Sequence, residues 1–212
     1  MAKNHEYTLL DGINRSTVGR YIAVAASALS AGLVSLLILF INWWDKLGFV
    51  QFPQVIAVPI TAGIVYIGIY YCFRYWIWKW PWVAKIISVP DLSGVWEVDG
   101  ETLNPKPNMN PRWAGKLIIT QDWDLIRVSL QTQNSRSESI AAALQFDPHY
   151  GYHLLYTYKN EPKTESALDM REHRGAAHLT FDAELTTAEG DYFNGRGRYS
   201  FGTMRLKRTR AE

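Results

Sequence analysis

The feature that most constrains this chain is a pair of long charge-free runs near its start, within residues 21–44 and 47–73. Their apolar cores lie at 21–41 and 55–73. A helix rises about 1.5 Å per residue and the hydrocarbon layer of a bilayer is about 30 Å thick, so each core is long enough to cross it. Because only helices and closed barrels satisfy their backbone polar groups in lipid, and neither run alternates, we predict a transmembrane helical hairpin.

The segments that flank the hairpin predict its orientation. Residues 1–20 are expected to form a tail, either solvated or a short amphipathic helix, and residues 74–90 an aromatic-rich linker at the membrane interface. Both segments carry several Lys and Arg residues, whereas the loop between the helices has Lys46 alone. Since positive flanks stay inside, we predict a two-pass membrane protein with both termini in the cytoplasm.

Small residues recur every four positions along the first helix, at Ala23, Ser27, Ala31 and Ser35. Small residues on one face let helices approach closely in lipid. The row is explained equally well by packing within one hairpin and by self-association into a homo-oligomer.

Residues 91–212 have the pattern of a small soluble all-β domain. Apolar and polar residues alternate in eight segments, which predicts strands at about 93–102, 112–121, 123–132, 136–147, 150–159, 176–186, 190–200 and 202–209. The connections are mostly short, which favours antiparallel neighbours. We therefore predict a small antiparallel up-and-down eight-stranded β-barrel, with a seven-stranded sandwich as the alternative. The opening Leu92-Ser93-Gly94-Val95-Trp96 is typical of the first strand of lipocalin-like barrels.

Polar and aromatic side chains converge at one end of the predicted barrel. The long connection 160–175 and the turn near residue 134 belong to alternate connections of a meander, so they share an end. We predict a ligand site there, formed by Tyr156, Tyr158, Asn160, Arg171, His173, Arg174, Arg196, Thr132, Ser135 and Ser137. The alternatives are that the two tyrosines belong to the core and that the basic residues are solvated. In particular, Arg196 points inward only if Phe193 and Tyr199 point outward.

Composition and motifs argue against several other functions. Residues 91–212 contain 15 Lys/Arg and 17 Asp/Glu, a net charge of −2, which disfavours binding to long nucleic acids. The five histidines are scattered and the single Cys72 lies in an apolar run, so we expect neither a metal site nor an internal disulfide. No catalytic motif or phosphate-binding glycine loop occurs, so we expect a protein that is not an enzyme.

The order of short motifs behind the helical hairpin resembles one known family. These motifs are LSGVW, GKLIITQDWDLIRVSLQT, SRSES, LLYTYKNEP, HRG and DYFNGRGRYSFGTMRL. The chain is similar to the two-transmembrane β-barrel effectors of bacterial CBASS anti-phage systems, also called SMODS-associating effectors. The resemblance implies a cyclic di- or oligonucleotide from a cognate nucleotidyltransferase as the activating ligand, no other cofactor, and oligomerisation that disrupts the inner membrane and kills the infected cell.

Two other functions fit the same architecture. A membrane-anchored lipocalin-like carrier of an apolar ligand predicts an apolar barrel interior without arginine. A scaffold that binds a partner protein predicts a barrel packed solid with side chains.

Overall fold

A computed structural model describes residues 3–10, 13–45, 57–103, 111–163, 171–195 and 200–209. The chain divides into two compact units. One is the helical segment Ile13–Trp80, and the other combines Met1–Gly12 with Pro81–Glu212.

Two long helices form the first unit, α1 (Arg15–Asp45) and α2 (Ala57–Tyr75), followed by a 3-10 turn at Ile77–Lys79. The Asn14 side chain accepts a hydrogen bond from the Ser16 amide at 2.9 Å, which satisfies a backbone donor at the start of α1. In the described chain one helix, over Arg15–Phe40, is long and apolar enough to cross a membrane. The second predicted span begins outside the described residues and continues as α2.

The two faces of α1 differ in a way that the spacing of small residues does not predict. The helix packs along α2, and among its described side chains the buried ones are Val18, Ile22, Ala26 and Ser30. The predicted row of small residues is displaced from these by one position, and Ala23, Ser27, Ala31 and Ser35 are all exposed. The two serine hydroxyls of that row donate within the helix, to the carbonyls four residues earlier, at 2.8 and 2.9 Å. Packing within the hairpin therefore does not account for this row.

The second unit contains the helix α3 (Pro81–Ile87) and nine strands. The strands are β1 (His5–Leu9), β2 (Gly94–Leu103), β3 (Arg112–Gln121), β4 (Leu125–Thr132), β5 (Ser135–Asp147), β6 (Gly151–Pro162), β7 (His173–Phe181), β8 (Thr187–Asn194) and β9 (Phe201–Arg208). From β2 to β9 each strand pairs antiparallel with the next, and β9 pairs with β2. The nine strands form a closed barrel in the order β1-β4-β3-β2-β9-β8-β7-β6-β5, in which β4 also pairs with β5.

Residues 5–9 form a strand of the barrel and α1 already begins at Arg15, so at these positions the prediction of a solvated tail or short amphipathic helix over 1–20 was wrong. Strands β4 and β5 pair directly only at 129–131 with 136–138. Beyond the bulge between Ser139 and Ala141 the two strands separate, and β1 lies between them. There it pairs antiparallel with β4 and parallel with β5, which satisfies edges that would otherwise be unpaired.

Two of the predicted strand boundaries were also wrong. The strand predicted over 176–186 ends at Phe181, because the Asp182 carboxylate accepts hydrogen bonds from the backbone and hydroxyls of Thr186 and Thr187 and forms a turn. The next strand consequently begins earlier than predicted, at Thr187, and ends at Asn194.

One end of the barrel is filled by large side chains. Trp96, Trp123 and Phe181 are fully buried, and the Trp96 and Phe181 rings meet edge to face with centroids 5.1 Å apart. The Trp96 indole donates to the Leu92 carbonyl at 3.1 Å, and the Arg208 guanidinium lies over its ring. The Gly-x-Trp motif of the first long strand therefore supplies the plug of this end, and the space inside the barrel lies at the other end.

Candidate ligand-binding site

A cavity of about 580 Å³ opens at the end of the barrel opposite Trp96. This volume is in the range of small-molecule sites. Its lining combines aromatic, amide and hydroxyl side chains. The lining residues are Thr102, Pro111, Arg112, Trp113, Ala114, Leu130, Thr132, Gln133, Asn134, Ser135, Ser137, Tyr156, Tyr158, Asn160, His173, Tyr192, Asn194 and Met204.

Strand alternation explains why these side chains face inward. Along β6, Leu154, Tyr156, Tyr158 and Asn160 are buried and the residues between them are more exposed. Along β5, Ser135 and Ser137 are buried in the same way. The cross-strand register then places Ser137 opposite Asn160, and Asn160 opposite His173. A short polar belt, formed by Ser137, Asn160 and His173, therefore crosses β5, β6 and β7 at one level of the barrel.

The two connections that were expected to share an end do so. The backbone amide of Lys163 donates to the carbonyl of Asn134 at 2.9 Å, and its ammonium donates to the carbonyl of Thr132 at 2.8 Å. The β6–β7 connection is shorter than the 160–175 expected, since β6 continues to Pro162 and β7 begins at His173. Asn160 and His173 therefore project from strands and not from a loop.

Most of the cavity's hydrogen-bonding groups are held by neighbours. Tyr158 donates to the Asn194 side-chain oxygen at 2.9 Å, and Thr102 and Tyr192 share a hydrogen bond of 2.7 Å between their hydroxyls. The Thr132 and Ser135 hydroxyls lie 3.1 Å apart. These bonds fix the rotamers of the lining before any ligand enters.

Two hydroxyl groups in the cavity wall, both on largely buried residues, make no hydrogen bond to any residue that the structure describes. They belong to Tyr156, which is 4% exposed, and Ser137, which is 5% exposed. Burial and the neighbouring Tyr158 raise the pKa of Tyr156, so it is a neutral phenol with a hydroxyl hydrogen available for donation. Neither hydroxyl is sealed inside the protein, so each can donate to water or to a polar molecule in the cavity.

His173 offers a defined ring nitrogen. Its Nδ1–H donates to the Arg171 carbonyl at 2.9 Å, since a carbonyl oxygen only accepts. Nε2 of the neutral ring is then an acceptor, suited to a base N–H or a sugar hydroxyl. The ring itself is buried in the cavity wall.

The structure brings together seven of the ten residues predicted from sequence. Tyr156, Tyr158, Asn160, His173, Thr132, Ser135 and Ser137 all line the cavity. The three arginines do not join them. Arg171 and Arg174 are exposed and absent from the lining, because Arg171 precedes β7 and Arg174 has outward parity on it. Arg196 lies outside the described residues, although Phe193 is 58% exposed and points outward.

Sequence reasoning missed lining residues on β2, β3 and β8, chiefly Trp113, Tyr192 and Asn194. Strand parity and the shared barrel end would have found Trp113, which is inward and near the start of its strand. Among the described residues of the lining, Arg112 is the single Lys or Arg side chain. No group of three or more metal-ligating side chains occurs in the described part of the chain.

Comparison with known proteins identifies the family. Residues 87–208 match the model "Cap15, cyclic dinucleotide receptor domain", and residues 16–79 match "Cap15, TM helices". The chain is also similar to CD-NTase-associated protein 15 of Yersinia aleksiciae, with 41% identity over 207 residues, which cover 97% of this chain and 98% of that protein. The cavity therefore lies within the region that matches a cyclic dinucleotide receptor, and the chain belongs to the Cap15 family of CBASS anti-phage defence proteins.

Proposed function

We propose that this chain is a CBASS membrane effector whose barrel cavity binds a cyclic dinucleotide made by a partner nucleotidyltransferase during phage infection. The liganded protein then assembles through its helices, disrupts the inner membrane and kills the infected cell before phage spread. It acts as a receptor, without catalysis of its own. The receptor-domain match over 87–208 and the transmembrane match over 16–79 support this division of labour.

The observation that carries the ligand assignment is the pair of hydroxyl groups, on Tyr156 and Ser137, that line an open polar cavity without a hydrogen bond to a described residue. A cyclic dinucleotide presents two phosphates, sugar hydroxyls and two flat bases. Phosphates need donors, and bases need aromatic faces. Tyr156 and Ser137 supply uncommitted hydroxyls, and the cavity of about 580 Å³ also exposes Trp113, Tyr158 and Tyr192.

The remaining predicted residues are proposed to act at the mouth and along the belt. Asn160 and His173 present an amide and a ring nitrogen to the bases or sugars, and Thr132 and Ser135 add hydroxyls from the adjacent turn. Arg171, Arg174 and Arg196 are proposed to provide positive charge near the mouth, where they attract the dianion before it enters.

The architecture fits this ligand better than the two alternatives. We infer a lipocalin-like barrel because β2 to β9 follow one another up and down around it. An apolar ligand would cover the Tyr156 and Ser137 hydroxyls without bonding them, at a free-energy cost. A barrel that served only as a scaffold would have its interior filled, whereas this one has an open end.

The assembly step is proposed to use the exposed small-residue row of α1. Ala23, Ser27, Ala31 and Ser35 lie on one side of the helix and are exposed. Both serine hydroxyls are already bonded within the helix. The row is therefore a nearly apolar surface of short side chains that another helix can approach closely.

Thermal melting of the full-length chain in detergent tests the ligand assignment. Cyclic di-AMP, cyclic di-GMP and cyclic di-UMP are compared with the matching linear dinucleotides and with a fatty acid. A ligand that binds only the folded state at 100 times its Kd stabilises it by about 2.7 kcal/mol, so one cyclic probe should raise the melting temperature. Stabilisation by the fatty acid alone would contradict the proposal and favour the apolar carrier.

The mouth arginines provide a second test. Arg171→Ala and Arg196→Ala should leave the barrel folded and weaken binding of the stabilising cyclic dinucleotide, more at low than at high ionic strength, because each removes positive charge that attracts the dianion. Wild-type affinity in both variants, with melting unchanged, would place the charged contacts elsewhere.

Membrane topology gives an independent test. A reporter that is active only in the periplasm should be inactive after Glu212 and active when inserted within 48–51. The reverse pattern would remove the receptor from the cytoplasm, where the nucleotide is made, and would overturn the proposed function.

A further inference from the structure

The inner wall of the barrel has a glycine directly beneath the largest ring in the cavity. Gly100 on β2 is the cross-strand partner of Trp113 on β3, and both have inward parity. A Cβ atom on Gly100 would lie 2.3 Å from Cε2 and Cζ2 and 2.8 Å from Cδ2 of the Trp113 indole. The Trp113 side chain therefore occupies the space that any other residue at position 100 would fill.

These distances also fix the orientation of the indole. Cδ2 and Cε2 form the bond shared by its two rings, which a neighbouring atom reaches through the ring face and not through the hydrogen-bearing edge. One face of Trp113 therefore lies flat against Gly100. The side chain is half-buried and lines the cavity, so its opposite face is turned toward the open space.

Two other cavity rings also lie over glycines, but by their ends. A Cβ on Gly175 would meet Cζ and Oη of Tyr158 at 2.5 Å, and one on Gly202 would meet Cε1 and Oη of Tyr192 at 2.8 Å. Among these three rings, Trp113 is thus the one that lies face down on a glycine.

The ring is held from its edge as well. The Trp113 indole N–H donates to the Tyr192 hydroxyl at 3.2 Å, and the two rings meet edge to face with centroids 5.7 Å apart. Gly100 beneath the face and Tyr192 at the edge leave the indole little freedom to turn. A ring fixed in this way loses little conformational entropy when a flat group stacks on it.

We propose that the free face of Trp113 stacks one base of the cyclic dinucleotide and that Gly100 is the positioning residue that keeps this face open. The inference rests on the proposed function, because it assigns a subsite to the same ligand. A side chain at position 100 would lift the indole off the wall into the space that the base occupies.

Gly100 is also the position where this idea can be tested with least damage to the sheet. The three nearest atoms to an added methyl group all belong to the Trp113 side chain and none belongs to the backbone. At Gly175 and Gly202 an added Cβ would meet a backbone carbonyl oxygen, at 2.5 and 2.1 Å respectively. Gly100 does not have the positive φ that would make alanine strained.

The experiment measures binding of cyclic di-AMP and cyclic di-UMP to the full-length chain in detergent, for wild type, Gly100→Ala, Trp113→Leu, Trp113→Phe and the double variant Gly100→Ala/Trp113→Leu. Base stacking on an aromatic side chain contributes about 1–3 kcal/mol, so Trp113→Leu should weaken binding roughly 5- to 150-fold. Gly100→Ala should weaken it at least fivefold, and Trp113→Phe should retain most of the affinity.

Two readouts separate positioning from a merely structural role. The double variant should bind no worse than Trp113→Leu, because glycine acts only through the ring. The loss in Trp113→Leu should also be larger for adenine than for uracil, since the purine covers more of the indole. Equal affinity of wild type, Gly100→Ala and Trp113→Leu for both probes would overturn this inference and leave the proposed function intact. If Gly100→Ala does not fold, unchanged binding by Trp113→Leu still overturns it. A folded wild-type chain that binds neither probe and melts unchanged with cyclic di-GMP would overturn the proposed function, and this inference with it.

Discussion

Two neighbouring tyrosines in the cavity should respond in opposite ways to loss of their hydroxyl groups. Tyr156 and Tyr158 are two residues apart on β6, both are buried, and their ring centroids are 5.9 Å apart. The Tyr158 hydroxyl donates to Asn194 at 2.9 Å. The Tyr156 hydroxyl has no hydrogen-bond partner among the described residues, and its raised pKa keeps it protonated.

The structure gives the expected size of each effect. Tyr158→Phe removes a hydrogen bond and leaves the Asn194 oxygen without that donor, at a cost of about 1–3 kcal/mol. For a chain of this length that lowers the melting temperature by roughly 2–12 °C at about 2–4 °C per kcal/mol. Tyr156→Phe removes a hydroxyl that contributes no bond to a described residue, so the ligand-free protein should melt at the same temperature or higher.

Ligand binding should reverse this order. A hydrogen bond from Tyr156 to a phosphate oxygen contributes about 1.5–3 kcal/mol, so Tyr156→Phe is expected to weaken binding roughly 10- to 150-fold. Tyr158→Phe keeps its ring and loses a hydroxyl that already donates to the protein, and its effect on affinity should be smaller than that of Tyr156→Phe.

Both variants are matched in chemistry and position, which makes each the control for the other. The assay is thermal melting of the full-length chain in detergent without ligand, followed by calorimetric titration with the cyclic dinucleotide that stabilises wild type most. If Tyr156→Phe lowers the melting temperature as much as Tyr158→Phe does and leaves the affinity unchanged, the hydroxyl is structural and the reasoning fails.

Three other predictions concern parts of the chain outside the cavity. Ala31→Leu on the exposed side of α1 should prevent ligand-induced crosslinking and toxicity at unchanged nucleotide affinity, whereas Ser30→Leu on the buried side should destabilise the helical unit by about 1–3 kcal/mol through overpacking. Unchanged crosslinking in Ala31→Leu would give the exposed row no role in assembly. Tyr7→Ala should lower the free energy of unfolding by about 3–5 kcal/mol, because Tyr7 is 2% exposed within the barrel. An unchanged melting temperature would mean that β1 contributes nothing to the stability of the barrel. Burial and the nearby His178 lower the pKa of His153. Its stabilising contribution is therefore present above the unfolded pKa of about 6.5 and is lost as the pH falls below that value. His153→Gln should reduce the drop in melting temperature between pH 7.5 and pH 5.5, and a drop as large as that of wild type would contradict this reasoning.

Much of the barrel could be predicted because each of its long strands has one face inside and one outside. Apolar and polar residues therefore alternate along each strand, and the eight long strands follow the predicted order. A predicted strand boundary was wrong where a side chain forms hydrogen bonds that end the strand. At Asp182 the pattern continues in the sequence, but the carboxylate binds four donors of Thr186 and Thr187 and the chain turns.

The strand β1 was missed for a different reason. It has five residues with one buried side chain, Tyr7, so it carries too little pattern to be recognised. Its position depends on distant segments, since the Ser139 hydroxyl accepts from the Val128 amide at 2.9 Å and lies 2.7 Å from His5. The separation of β4 from β5 that admits β1 arises at a bulge, and a bulge is not visible in a period of two.

The candidate site shows which part of a binding pocket a single sequence can reveal. Parity decides whether a residue on a barrel strand points inward, and the order of strands decides at which end it lies, so Ser137, Asn160 and His173 could be grouped without coordinates. Neither rule says which polar atoms are already bonded, because that depends on the cross-strand register. The same register places Gly100 beneath Trp113 and so decides which ring face stays open. The arginines were grouped by charge complementarity to an anion, a requirement that neutral hydroxyl and amide donors also meet, and the described cavity wall uses mainly those donors.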